Sequence, residues 1–81
     1  MRLPRDISGT ALIRALKKLG YEQTRQSGSH VRLTMRRDDE EYHLTIPEHS
    51  PLRIGTLHSI LTRVVDQSGI SLEKLLELLK Y

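Results

Sequence analysis

Residues 30–46 carry the pattern that most limits how this chain can fold. Val31, Leu33 and Met35 alternate with His30, Arg32, Thr34 and Arg36; beyond Asp38-Asp39-Glu40-Glu41, the residues Tyr42, Leu44 and Ile46 alternate with His43 and Thr45. A period of two sends each set to one face of an extended strand. Two such runs joined by an acidic turn make an antiparallel pair with one apolar face and one polar, basic face. Helices can then cover one side only, and the other side stays wet.

The flanking segments supply those helices. From about Ser8 to Leu19, Leu12, Ile13, Leu16 and Leu19 recur at helical spacing, with Ser8 as N-cap, Lys17 and Lys18 in the last turn and Gly20 as terminator. Tyr21 to Gln26 reads as a short polar strand and Ser27-Gly28-Ser29 as a tight turn. After a loop from Pro47 to Arg53, a helix is expected from Ile54 to Gln67, with Leu57, Ile60, Leu61, Val64 and Val65 as its apolar stripe. Ser68-Gly69 ends it, and Ser71 caps a short last helix carrying Leu72, Leu75, Leu76 and Leu79. The order α-β-β-β-α-α predicts an α+β domain spanning residues 1–81, a three-stranded antiparallel sheet with helices on one face.

Centring the hairpin turn between Asp39 and Glu40 keeps core opposite core, with Met35 beside Leu44 and Leu33 beside Ile46. The same register sets Thr34 against Thr45 and Arg36 against His43 on the polar face, and brings His30 opposite His49.

Composition removes several classes of function. There is no cysteine, so disulfides and thiolate metal sites are out. No apolar run approaches the ~20 residues of a membrane span, and Met1 to Asp6 lacks a signal-peptide core. The expected setting is cytoplasmic, with no membrane partner. The only aromatic residues are Tyr21, Tyr42 and Tyr81, too few for recognition by successive base stacking. Charge is uneven: residues 1–37 hold nine Lys/Arg against two acids (+7), residues 38–81 four against eight (−4), which together give +3. A basic first half suits a polyanion, although it also suits a well-solvated surface.

Gly28-Ser29-His30 is the segment most suggestive of chemistry. It sets an imidazole at the first residue of a strand, directly after a turn, where it is held yet open to solvent. Such a histidine serves as general acid or base at neutral pH, or is an inert strand-end residue; the tripeptide alone leaves both open. His49 suits phosphate positioning or a local loop hydrogen bond, His43 a solvated strand position and His58 an exposed helix position. The four histidines lie 13, 6 and 9 residues apart, a spacing without the one-turn pair of a zinc site. No metal and no small-molecule cofactor is expected. One histidine among arginines fits RNA transesterification, because RNA brings its own nucleophile, the 2′-OH. His30 would take that proton while Arg25, Arg32 and Arg36 hold phosphates, and Ser29, Lys17 and Lys18 complete the expected RNA-binding set. DNA, without the 2′-OH, would not be cut.

An ordered set of short motifs points the same way: Ile7-Ser8-Gly9, Gly20-Tyr21, Arg25-Gln26-Ser27-Gly28-Ser29-His30, Pro47-Glu48-His49, Gly55-Thr56-Leu57, Ser59-Ile60-Leu61 and Gly69-Ile70-Ser71. In these motifs the chain resembles the HicA-type (YcfA-like) mRNA interferase toxins of type II HicA–HicB toxin–antitoxin systems. The resemblance implies a double-stranded-RNA-binding-domain-like fold, mRNA cleavage that arrests translation, and neutralisation by a cognate HicB-like antitoxin. It also implies that the histidine of Gly-Ser-His, His30, is the catalyst. Gln23-Thr24 stands where relatives often have an aliphatic pair, so the first strand is expected to pack loosely. The competing reading is a module on the same fold that binds RNA or a protein without cleaving.

Overall fold

The computed structural model describes residues 5–79. The Met1–Pro4 part of the segment read above as no leader lies outside them, as does Tyr81. The element order is α1 (Gly9–Lys18), β1 (Glu22–Ser27), β2 (His30–Arg37), β3 (Glu40–Pro47), α2 (Ile54–Ser68) and α3 (Leu72–Leu78). The strands form one antiparallel sheet in the order β1-β2-β3. Val31, Leu33, Met35, Leu44 and Ile46 are buried from one sheet face against Leu12 and Leu16 of α1, Leu57, Leu61 and Val64 of α2, and Leu75 of α3. The α+β architecture expected from alternation and helical spacing is the one observed.

The caps account for the helix ends. Ser8 Oγ accepts from the Ala11 N–H at 3.1 Å and Ser71 Oγ from the Lys74 N–H at 3.1 Å, each satisfying a first-turn donor that has no intrahelical partner. Gly69, at φ 75°, closes α2 by donating its N–H to Val65 O. The first strand starts one residue later than its sequence suggests. Tyr21 ends the helix instead, donating its N–H to Leu16 O. Its ring is buried at 1% exposure, and its hydroxyl donates to Gln67 Oε1 at 2.8 Å. Burial pushes the Tyr21 phenol up to about 12, since the phenolate would lose its hydration.

The hairpin register differs from the expectation. The turn is a two-residue loop, Asp38-Asp39, with φ of 52° and 66°, and the strands pair Leu33 with Leu44, Thr34 with His43, Met35 with Tyr42 and Arg36 with Glu41. His30 therefore faces Pro47, not His49. The expected and observed registers differ by two residues, and such a shift leaves every side chain on its original face. Hydrophobic pattern cannot separate them. Turn geometry does, because two left-handed central residues match the twist of a two-residue hairpin.

At β1 the expectation of loose packing is met: all six residues are exposed, and the pairing slips between Gln23 and Arg25. Thr24 is the extra residue of a β-bulge. A strand kept in the register of Glu22 and Gln23 would set Thr24 opposite Arg32 and turn Arg25 toward the helices. The bulge instead puts Arg25 directly opposite Arg32.

Two measurements check these points. Asp39→Gly should raise stability toward urea by about 0.5 kcal/mol, because relief of left-handed strain exceeds the added chain entropy; a loss of stability would argue against the two-residue turn. Tyr21 has a raised folded-state pKa, so its contribution is complete below pH 10 and disappears as pH climbs from 10 toward 12. Urea midpoints across that window should fall more steeply for the wild type than for Tyr21→Phe.

Candidate functional site

His30 opens the central strand, with a neighbour on each side: Ser27 of β1 and Pro47 of β3. Gly28 and Ser29 form the two-residue loop before it, and Gly28 has φ 59°. That value explains the glycine, since a side chain in the first position of this tight loop would strain the backbone. The ring of His30 is exposed, while its backbone is fixed by ladders on both edges.

The loop after β3 is fastened against this hairpin. Glu48 N–H donates to Ser29 O at 2.7 Å, which continues the β2–β3 ladder past the ends of the strands. The Gln26 side-chain amide donates to Glu48 Oε1 at 2.8 Å and to Gly28 O at 3.1 Å. On the other side of the loop, Gly9 N–H donates to His49 O at 2.8 Å, and Leu52 N–H donates to Ile7 O at 2.8 Å. The start of α1 thus holds the loop beside the hairpin that carries His30. A Cβ at Gly9 would collide with the Pro47 carbonyl oxygen and lie 2.9 Å from Glu48 Cα. Sequence reading missed Gln26 and Glu48 as supports; with the observed register in hand, the amide at Gln26 and the acid at Glu48 would have signalled them.

The open sheet face extends from His30 along β2. Arg32 lies about 7 Å further along the strand, opposite Arg25 on one side and Thr45 on the other. Directly opposed like charges destabilise a sheet, and neither arginine has a carboxylate partner among the described residues. Arg36 does: its Nη2 lies 3.0 Å from Glu41 Oε2. That pair is exposed, so it is weak and can be exchanged for another anion. Arg37, the next basic residue, is committed elsewhere and donates from Nη1 to Gln67 O at 2.8 Å, at the end of α2.

Arg25, Ser29, His30, Arg32 and Arg36 thus gather on the open face or at its end: strand alternation puts His30, Arg32 and Arg36 there, the bulge brings Arg25, and the Gly28-Ser29 loop sets Ser29 at the end. Lys17 and Lys18 do not join them. They are exposed on α1, in the other layer, and about 12 Å along the helix axis from Gly9. His49 is exposed in the loop, but its place opposite His30 belongs to Pro47. His58 is an exposed position on α2, as its spacing implied. Among the described residues no three His, Asp or Glu side chains are grouped so as to hold a metal ion, and no helix is long and apolar enough to cross a membrane.

The arrangement suits a polyanion drawn along the face with one imidazole at its edge. A family model described as HicA toxin of bacterial toxin-antitoxin matches residues 9–70, a span that takes in the whole sheet, His30 and the 47–53 loop. No curated protein and no solved structure matched the chain.

Gly9 is the residue on which the seating of that loop most directly depends. Gly9→Ala should destabilise the fold by about 1–3 kcal/mol through overpacking. In amide exchange, the added rate should concentrate at Glu48 and Leu52 before it reaches the strands. Uniform acceleration across the sheet would contradict a local clamp.

Proposed function

The chain belongs to the HicA toxin family of bacterial toxin–antitoxin systems, and from that premise we propose that it is an endoribonuclease, an mRNA interferase whose single catalytic histidine is His30. The observation that carries this reading is the position of His30: exposed, at the first residue of the central strand, and in line with an unneutralised arginine pair on the same face.

In the proposed reaction His30 removes the proton from a ribose 2′-OH, and the 2′-oxygen attacks the adjacent phosphorus. The P–O5′ bond breaks as the new P–O2′ bond forms. The imidazolium, or water, returns a proton to the leaving 5′-oxygen, giving a 2′,3′-cyclic phosphate and a 5′-OH. Arg32 and Arg25 hold the strand by its phosphates, with charge-assisted hydrogen bonds to the phosphate oxygens. Arg36 and the Ser29 hydroxyl are further contacts to the strand. Lys17 and Lys18 would meet only a longer RNA that wraps onto the helix layer. No metal is needed for these steps. His49 lies off the ladder partner position of His30, so an accessory role for it would depend on the loop's side-chain arrangement and not on strand pairing.

A toxin of this kind is held in check by its antitoxin, here proposed to be a cognate HicB-like protein that covers the open face. Arrest of translation through mRNA cleavage is the proposed outcome when that cover is lost.

The test is direct. His30→Ala should lose RNA cleavage by at least about 10²-fold, the scale of one acid–base group, together with growth inhibition, while its circular dichroism is unchanged. Wild-type cleavage should continue in EDTA and leave 2′,3′-cyclic phosphate ends. Equal toxicity of mutant and wild type, or metal-dependent 5′-phosphate ends, would defeat the proposal. Retained RNA binding with no cleavage by the wild type would favour the binding-module alternative.

A further inference from the structure

The observed register brings together residues that the catalytic reading leaves unused. Thr34 faces His43 across β2 and β3, and the bulge residue Thr24 reaches Thr34 from β1. Thr24 Oγ1 lies 2.9 Å from Thr34 Oγ1, and Thr34 Oγ1 lies 3.0 Å from His43 Nδ1. On the far side of the ring, His43 Nε2 is 3.4 Å from Glu41 Oε1, and the other oxygen of Glu41 holds Arg36. Thr24, Thr34, His43 and Glu41, with Arg25 and Arg32, line a shallow depression of about 290 Å³ on the open face.

The chemistry of this chain has a direction. With the ring proton on Nε2, the nitrogen beside the Glu41 carboxylate, neutral His43 would accept at Nδ1 from the Thr34 hydroxyl. Thr34 oxygen is then free to accept from Thr24. Protonation of His43 reverses the first link: Nδ1–H donates to Thr34, and the Thr34 hydroxyl hydrogen is released. The depression then carries a third positive charge beside Arg25 and Arg32. Charged groups facing the ring are Glu41 on its own strand, Arg32 and Arg36 on β2, and Arg25 and Glu22 on β1, Glu22 being the partner of Thr34. Glu41 is already matched by Arg36, which leaves the arginine pair unbalanced.

We infer that this depression is a second subsite, which seats a phosphodiester of the single-stranded RNA beside the one that His30 attacks, and that His43 is its positioning residue. Two like charges set opposite each other by a bulge are stable together when an anion lies between them, and charge-assisted hydrogen bonds to phosphate oxygens are the strong ones. The inference rests on the RNA reading above and adds to it which nucleotide contacts hold the strand and how they respond to pH. In the free protein Arg36 holds Glu41 beside the imidazole, and this exposed pair opens when Arg36 turns to the strand.

The test uses the whole chain and a dye-labelled 2′-O-methyl oligoribonucleotide, whose blocked nucleophile prevents cleavage. Affinity is measured by anisotropy between about pH 5 and 8, the range over which histidine changes charge. Wild-type affinity should fall about tenfold as pH rises, the worth of a hydrogen bond to a charged group. His43→Gln should lose a clear part of that pH dependence, and His43→Gln with His30→Ala should bind with little of it left. Arg25→Gln and Arg32→Gln should each weaken binding about tenfold and reduce the salt slope by about 0.7, the single-strand value for one phosphate. Sulfate, which carries no titrating proton in this range, should shift the amide resonances of Thr24, Thr34 and His43. Unchanged affinity and pH response in all three variants would overturn the subsite, even if unmodified RNA were still cleaved by His30. Binding that follows the expected pattern, with unmodified RNA left uncleaved, would uphold the subsite and remove the catalytic reading. Sulfate shifts without oligonucleotide binding would overturn both.

Discussion

Asp38 and Asp39 close the β2–β3 hairpin with two left-handed residues, and every β2–β3 pairing on the open face of the sheet is counted from that loop. With the turn centred between Asp38 and Asp39, one residue earlier than the middle of the acidic run, Thr34 meets His43, Arg36 meets Glu41 and His30 meets Pro47. The line of contacts from Thr24 through Thr34 to His43 exists only in this register. So does the extension of the ladder through Glu48 and Ser29, which locks the loop against the hairpin carrying His30.

The two faces of the sheet have separate duties. The apolar face binds three helices and supplies the hydrophobic stabilisation. The open face contributes little burial, which leaves it free to hold uncompensated arginines and titratable rings. Such groups would be costly beneath a helix, where desolvation would demand a partner for each. On a wet face they remain charged at modest cost and stay available to a polyanion. The bulge at Thr24 adds to this by bringing an extra β1 side chain to the face.

His30 illustrates how a lone group is made dependable. In the proposed reaction a single imidazole would supply only part of the rate, so its position would have to be right without a second catalytic side chain. Its strand is central, its preceding turn is fixed by Gly28, and the neighbouring loop is tied by Gln26, Glu48, Gly9 and Ile7. Gly28, Gly9 and Ile7 act through backbone or close approach alone, Gln26 and Glu48 also through their side chains, and none of the five is a proposed contact to substrate.

By itself the sequence determined the element order, the helix caps at Ser8 and Ser71, which strand residues face the core, and that His30 shares a face with Arg32. These are local properties, set by periods of 2 and 3.6 and by the turn habits of glycine and serine. Tertiary structure decided the register, the bulge and the company each histidine keeps. A two-residue slip preserves every inward and outward assignment, so the pattern that revealed the strands carried no information about which rungs meet. That is why alternation reads His43 correctly as an exposed strand residue yet sets it opposite Arg36 instead of Thr34, and reads His49 as the neighbour of His30. Only the backbone angles at Asp38 and Asp39, together with the extra residue at Thr24, put His43 between Thr34 and Glu41 and gave His49's expected place to Pro47.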